Sequence, residues 1–215
     1  MHLTLQSLTW NLIQQSFSYF PKSYLERLKH KQEESIVARF LISKLVEEKY
    51  WIKDFLPKVD ENWVPVFEKD IFWSISHKKG VVFVAVKGWQ KINQKIFRRY
   101  IKIEEWVGVD LEIIKERDII LLDTFKNSEY KLLWGKNWKN FYRLWTGKEA
   151  IIKYNLWKLD DMKDLILESV EEVSIEIDWM KFDKKLIISW KVVYSCLKED
   201  KVLSITIWNE HLLVF

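Results

Sequence analysis

The chain has 215 residues, of which 48% are hydrophobic and 31% charged, and this balance excludes an intrinsically disordered protein. The formal net charge of +4 is far from that of a polybasic tail. The single cysteine, Cys196, excludes an internal disulfide framework, and its apolar surroundings predict a buried strand position.

In the first part of the chain, apolar spacing predicts two helices between strands. Alternation over residues 3–8 indicates a strand, and three- to four-residue spacing indicates helices over 23–30 and 31–50. Segments 71–76 and 81–88 are rich in Val, Ile and Phe and predict two strands around the turn-like sequence HKKG. The second helix carries one apolar stripe, made by Ile36, Val37, Phe40, Leu41, Leu45 and Val46.

The second part also combines helices with strands. We predict a strand over 103–114, a short helix over 127–134 capped by Asn127 or Ser128, and a longer helix containing FYRLWTGKEAIIKY, residues 141–154. The rest of the chain predicts four strands, over 172–177, 185–197, 201–207 and 211–215.

This order of elements predicts an α+β fold in which each half pairs helices with antiparallel strands. We divide the chain into residues 1–103 and 104–215, although no Pro-, Gly- or Ser-rich linker separates them. The basic run at 91–103, KINQKIFRRYIKI, is better explained as a solvated loop than as a phosphate-binding patch.

Two pairs of charged residues are candidates for chemistry. Asp110 and Glu112 stand two apart on a strand and therefore face the same side, while Glu149 and Lys153 stand one helical turn apart. Taken alone, the first pair fits an exposed acidic strand face, and the second fits a surface ion pair worth about 0.2–0.5 kcal/mol. Together, three carboxylates would form an all-oxygen site suited to Mg²⁺, beside a lysine suited to phosphate.

Ser76 ends the strand over 71–76, His77 follows it directly, and two lysines and Gly80 come next. A lone histidine is more often structural than functional. The donors around this turn make it a candidate phosphate site.

Four segments in this order, SISH (74–77), GVDLE (108–112), FKNSEY (125–130) and LWTGKEAIIK (144–153), carry a family resemblance. The sequence resembles the 4′-phosphopantetheinyl transferases of the surfactin-synthetase-activating type. These enzymes show I-S-H at a strand end, a G-[IV]-D-[IV]-E strand, F-x-x-x-E at a helix start, and W-[ST]-x-K-E-[AS]-x-x-K. The last motif is the most specific of the four.

The resemblance implies two similar halves related by a pseudo-twofold axis, with coenzyme A in the cleft between them. It implies that Asp110, Glu112 and Glu149 bind Mg²⁺, that Glu149 is the base, and that Lys153 assists the leaving 3′,5′-ADP. It also implies that the coenzyme is held by Ser76, His77, Lys148, Lys153, Lys29, His30 and Lys31.

The sequence departs from the family pattern at two places that concern the 3′-phosphate of coenzyme A. Val64 stands where the family commonly has a basic residue before a proline. The stretch Lys29, His30 and Lys31 stands where a helical arginine is expected. Both departures leave open how that phosphate is held.

Tryptophan is unusually frequent and glycine unusually rare: the chain has 13 Trp and 5 Gly. Glycine normally supplies about 7% of residues. Trp63, Trp157 and Trp179 stand where turn chemistry favours glycine. We hypothesise that UGA codons are read as glycine in the source; an aromatic-rich protein is the alternative.

We expect a cytoplasmic protein, because no apolar run approaches the ~20 residues of a membrane span and no secretory pattern opens the chain. The two fused halves that the resemblance implies suggest a monomer. The expected partners are coenzyme A and an apo acyl or peptidyl carrier protein, with no binding to nucleic acid or membrane. Two alternatives remain open: another Mg²⁺-dependent phosphoryl reaction on a nucleotide, or a basic, aromatic-rich module that binds nucleic acid.

Overall fold

The computed structural model describes residues 1–28, 32–60, 64–68, 70–88, 107–155, 162 and 164–207. Within this part of the chain the fold is α+β, with three antiparallel sheets and six helices. The expected fold class is thereby confirmed. The described residues do not show two halves related by a pseudo-twofold axis, and the boundary at residues 103/104 lies outside them.

The first part of the chain builds a three-stranded sheet covered by helices. Its elements are β1 (His2–Ser7), α1 (Trp10–Tyr19), α2 (Lys22–Arg27), α3 (Glu33–Tyr50), β2 (Lys58–Val59), β3 (Pro65–Val66), β4 (Ile71–Lys78) and β5 (Val81–Gly88). The sheet order is β1-β5-β4, and β2 pairs with β3 in a separate small ribbon. The long helix α3 packs on β4 and β5.

The second part builds a five-stranded sheet. Its elements are β6 (Val107–Ile113), a 3-10 helix (Ile119–Thr124), α4 (Asn127–Leu132), α5 (Trp138–Asn155), β7 (Leu167–Ile177), β8 (Met180–Ile188), β9 (Lys191–Lys198) and β10 (Lys201–Ile207). The sheet order is β6-β10-β9-β8-β7, so the last strand lies beside the first. Helix α5 packs across β6 and β10.

Two local predictions were wrong. The run 185–197 is not one strand: β8 ends at Ile188, and a two-residue turn at Ser189 and Trp190 starts β9. Both turn residues have positive φ, as tight hairpins require, and no glycine signalled the turn. The cap of α4 is Lys126, whose backbone N–H donates to the Glu129 carboxylate at 3.1 Å.

The other predictions from the sequence can be compared with the structure segment by segment. The other predicted elements are present to within a few residues, and Cys196 is buried on β9, where burial raises its pKa to about 12. The predicted strand over 211–215 and the basic run at 91–103 lie outside the described residues. In the described part of the chain, no helix is both long enough and apolar enough to cross a membrane.

Gly108 determines how closely α5 approaches β6. A Cβ atom at this position would lie 2.0 Å from the Ala150 carbonyl oxygen and 2.7 Å from the Tyr154 backbone nitrogen. These contacts are with helix backbone, which cannot rotate away as a side chain can. The glycine of GVDLE therefore has a packing role that brings the two motif-bearing elements together.

We expect Gly108→Ala to destabilise the protein by about 1–3 kcal/mol or more, the usual result of overpacking a core. Urea unfolding measures the effect. Gly147→Ala is the matched control, because the nearest atom to its Cβ would be a movable side-chain carbon of Ile188 at 3.1 Å. Equal stability of the wild type and Gly108→Ala would contradict this account of the helix position.

Candidate active site between the two sheets

The candidate site lies where β4 and β6 run side by side without joining into one sheet. Two serines of β4 span the gap: the Val109 N–H donates to Ser74 Oγ and the Leu111 N–H donates to Ser76 Oγ, each at 3.0 Å. Backbone N–H groups at a sheet edge need a partner. The serine hydroxyls supply it, and we call this contact between β4 and β6 the seam.

Two carboxylates of β6 line the seam, and each is held by a lysine. Asp110 is buried; its Oδ1 accepts hydrogen bonds from Ser76 Oγ at 2.8 Å and from Lys153 Nζ at 2.6 Å. Glu112 Oε1 accepts from Lys78 Nζ at 2.8 Å. The ammonium groups reduce the repulsion between two carboxylates on one strand face.

Helix α5 presents Glu149 and Lys153 to this face. The Lys153 ammonium reaches Asp110 across the gap, so the surface-pair interpretation does not describe it. Burial, followed by the negative charge of Asp110, raises the pKa of Glu149 to about 7, and the Lys153 charge opposes that shift. Glu149 is thus electrostatically coupled to the carboxylates of β6.

His77 lies at the end of the seam, against the start of α3. Its Nδ1 is 2.9 Å from Glu34 Oε2, and the second oxygen of Glu34 accepts from the Gly80 N–H. One carboxylate in the first turn of α3 therefore fixes both the histidine ring and the turn that follows it.

These groups surround one cavity of about 510 Å³. It receives side chains from α3, β4, β6 and α5, and from the ribbon that includes Val59, Val64 and Pro65. The predicted site residues that line it are Ser76, His77, Asp110, Glu112, Glu149 and Lys153. A single cavity thus brings together predicted site residues from three separate segments of the chain, β4, β6 and α5.

The sequence analysis missed Arg39, which lines the same cavity and a neighbouring one of about 330 Å³. Its side chain is only 5% exposed, and its Nη1 donates to the Ser35 carbonyl at 2.9 Å. Among the described residues its Nε has no hydrogen-bond partner, and no carboxylate forms an ion pair with it. The sequence did offer a signal for this residue: Arg39 stands among the apolar residues of a helix expected to be buried, where an arginine is rare.

The carboxylates that line this cavity have the chemistry that a hard cation prefers. Among the described residues, no group of three His, Cys, Asp or Glu side chains has the spacing of a metal site. Yet Asp110 Oδ2 and Glu112 Oε2 are buried oxygens without a hydrogen-bond partner in the described part. Such oxygens are suitable ligands for Mg²⁺.

Other predicted coenzyme contacts are not brought to this cavity. Lys148 is 1% exposed, and its Nζ lies 2.8 Å from Glu129 Oε1 in the core. Burial lowers the pKa of Lys148, and the Glu129 carboxylate opposes that shift. Lys29, His30 and Lys31 lie outside the described residues.

No protein-family model matches this sequence, and no curated protein matches it at a significant level. The resemblance to phosphopantetheinyl transferases therefore depends on its motifs.

Proposed function

We propose that the protein is a Mg²⁺-dependent 4′-phosphopantetheinyl transferase. It would move the phosphopantetheine arm of coenzyme A to a serine of an apo acyl or peptidyl carrier protein. One observation carries the proposal: Asp110 and Glu112 of GVDLE meet Glu149 and Lys153 of WTGKEAIIK in one cavity, beside His77 of the SISH segment. These segments carried the family resemblance, and they are distant in the chain.

The reaction assigns a role to each group. The serine oxygen forms a bond to the β-phosphorus of coenzyme A, the pyrophosphate P–O bond breaks, and 3′,5′-ADP leaves with the electron pair. Glu149 takes the serine proton, since a carboxylate with a pKa near neutrality is a suitable general base. Lys153, whose Nζ lies 2.6 Å from Asp110 Oδ1 at the edge of the same cavity, would stabilise charge on the departing phosphate.

Asp110, Glu112 and Glu149 would hold the metal. When bound, Mg²⁺ neutralises charge on the pyrophosphate oxygens. The two unpartnered carboxylate oxygens support this assignment.

The finer architecture belongs to the same proposal. The two halves, residues 1–103 and 104–215, would be related by a pseudo-twofold axis, with coenzyme A between them. Helix α3 on β4 and β5, and helix α5 on β6 and β10, are the elements that such an axis would exchange. The protein would act as a cytoplasmic monomer, and its charge of +4 would favour encounter with an acidic carrier protein.

The test is an intact-mass assay of an apo acyl carrier protein incubated with the protein, coenzyme A and Mg²⁺. We expect the carrier to gain the mass of one phosphopantetheine, and chelation of Mg²⁺ to abolish the gain. An unmodified carrier with coenzyme A consumed would favour another phosphoryl reaction. An unmodified carrier and intact coenzyme A, together with binding to single-stranded nucleic acid, would favour the nucleic-acid module.

His77 gives a specific prediction for the nucleotide. His77→Ala should raise the KM for coenzyme A more than it lowers kcat, because a phosphate contact made equally in the ground and transition states affects mainly binding. Steady-state kinetics at varied coenzyme A measure this. An unchanged KM would remove His77 from the nucleotide site.

A further inference from the structure

The hydrogen bonds of Ser76 occupy its only donor. A serine hydroxyl has one O–H and two acceptor lone pairs. The Ser76 O–H donates to Asp110 Oδ1 at 2.8 Å, and its oxygen accepts from the Leu111 N–H at 3.0 Å. The side chain is buried. As it stands, Ser76 has no proton to offer to a phosphate, which is the role that the resemblance implied for it.

We propose that Ser76 is a positioning residue: it holds Asp110 in the orientation needed for the site and does not contact the nucleotide. The inference rests on the proposed function, because it assigns Asp110 to the metal. Ser76 and Lys153 both bond Oδ1, so they leave Oδ2 as the unpartnered oxygen of Asp110. Ser76 thereby helps to select which carboxylate oxygen remains for a ligand.

Ser74 provides a matched control. It lies two residues earlier on β4, is equally buried, and accepts a seam hydrogen bond from Val109 N–H of the same length. The difference is that Ser76 also donates to a carboxylate. Comparing Ser74→Ala with Ser76→Ala therefore separates the seam contact from the orientation of Asp110.

The experiment measures Mg²⁺ binding by thermal shift together with kcat and KM for coenzyme A. Ser76→Ala should weaken Mg²⁺ binding and lower kcat by about 10-fold or more, the scale of one hydrogen bond to a charged group. KM for coenzyme A should stay within about twofold, because the hydroxyl makes no contact with the nucleotide. Ser74→Ala should affect Mg²⁺ binding and kcat much less than Ser76→Ala does, and Ser76→Thr, which keeps the hydroxyl, should recover most of the loss.

A raised KM with an unchanged kcat in Ser76→Ala would overturn the inference, because it would indicate contact with the nucleotide. Equal losses of Mg²⁺ binding and of kcat in Ser74→Ala and Ser76→Ala would also overturn it. So would a wild-type protein whose Tm does not rise with Mg²⁺. A wild type that binds Mg²⁺ but transfers nothing would overturn the proposed function alone. The thermal-shift comparison of the two serines would still test the positioning role.

An independent observation concerns the tryptophans. Trp51, Trp134 and Trp190 have φ values of 54°, 60° and 64°, in the left-handed region. A side chain with a Cβ is disfavoured there, and glycine is the usual occupant. The three side chains are 86%, 66% and 87% exposed, so burial of the rings does not compensate for this conformation.

Two of the three positions are also of a kind that normally selects glycine. Trp51 ends α3 in the left-handed conformation, where a C-terminal glycine is the common cap. Trp190 is the second residue of the tight turn between β8 and β9, with φ values of 44° and 64°. The equivalent turn between β4 and β5, Lys79 and Gly80, has φ values of 46° and 77° and carries glycine at that place.

We infer that the natural protein carries glycine at positions 51, 134 and 190, because its source reads the corresponding codon as glycine. This inference rests on the positive φ values of the three residues, whereas the earlier hypothesis rested on the numbers of tryptophans and glycines in the sequence. It also changes which residues the hypothesis concerns. Trp179 lacks a positive φ and donates from its Nε1 to the Leu3 carbonyl at 2.8 Å, while Trp63 and Trp157 lie outside the described residues.

The test is peptide mass spectrometry of the protein isolated from its source. Glycine at the three positions supports the inference, and tryptophan at them overturns it, as would UGG codons in the gene. The recombinant chain gives a second measurement: Trp51→Gly, Trp134→Gly and Trp190→Gly should each raise Tm. Trp73→Gly is the control and should lower Tm, since that ring is buried in the core. A lower Tm for all four would overturn the inference.

Discussion

Replacing Glu149 by glutamine should lower kcat for carrier-protein modification about 100-fold or more, the scale of losing a general base or one electrostatic stabiliser. Glutamine keeps the shape of the side chain but cannot accept the serine proton or neutralise a cation. The change should affect kcat more than the KM for coenzyme A, since the lost interaction belongs to the transition state. Intact-mass kinetics with an apo carrier protein measure both.

The same variant should become more stable than the wild type as pH rises, when no divalent cation is present. Burial and the Asp110 charge raise the pKa of Glu149 from 4.5 to about 7 in the folded protein. Between these values the unfolded chain releases the proton while the folded protein retains it, so folding stability falls as pH rises. Glutamine does not titrate, and its advantage should develop between about pH 4.5 and 7 and persist above.

The control for this prediction is Glu47→Gln, which breaks the exposed pair of Glu47 with Lys44 on α3. Surface pairs contribute about 0–1 kcal/mol, and this variant should transfer the arm normally. If Glu149→Gln kept the wild-type kcat, Glu149 would not be the base. If its stability followed the wild-type pH profile, the raised pKa of Glu149, caused first by burial and then by the Asp110 charge, would be contradicted.

Replacing Glu129 by alanine should destabilise the fold by about 3–5 kcal/mol, the cost of leaving one member of a buried ion pair without its partner. For a chain of this size that corresponds to a drop in Tm of roughly 10 °C. Glu129 is 2% exposed and Lys148 1%. The Glu129 carboxylate also accepts from the Leu167 N–H at 2.9 Å, so alanine removes three interactions with one side chain.

Two comparisons make this prediction specific. Glu172→Ala removes the exposed carboxylate that pairs with Lys184, and it should change the free energy of unfolding by less than about 1 kcal/mol. The double variant Glu129→Leu, Lys148→Met removes both buried charges and should recover part of the loss. Recovery should be incomplete because the Leu167 N–H still lacks an acceptor. A full loss in Glu172→Ala, or none in Glu129→Ala, would contradict the buried-pair account.

The hydrophobic pattern predicted α2 to α5 and most of the strands, because apolar periodicity directly reflects which face of an element is buried. It did not predict helix α1. It failed at 185–197, where one apolar run folds into β8 and β9. A turn of two residues occupies too little sequence to interrupt the periodicity, and here the usual glycine was absent. The cap of α4 was predicted one or two residues too late. The side chain that accepts a hydrogen bond at this helix end is Glu129, inside the helix, and it bonds the backbone N–H of Lys126.

The sequence by itself determined that Asp110 and Glu112 share a strand face and that Glu149 and Lys153 share a helix face, since both follow from the period of the element. The tertiary structure decided what those faces meet. Gly108 lets α5 approach β6, Ser76 takes one oxygen of Asp110, and Lys148 turns into the core to pair with Glu129. These contacts join residues far apart in the chain, and spacing along the chain carries no information about distances across a core.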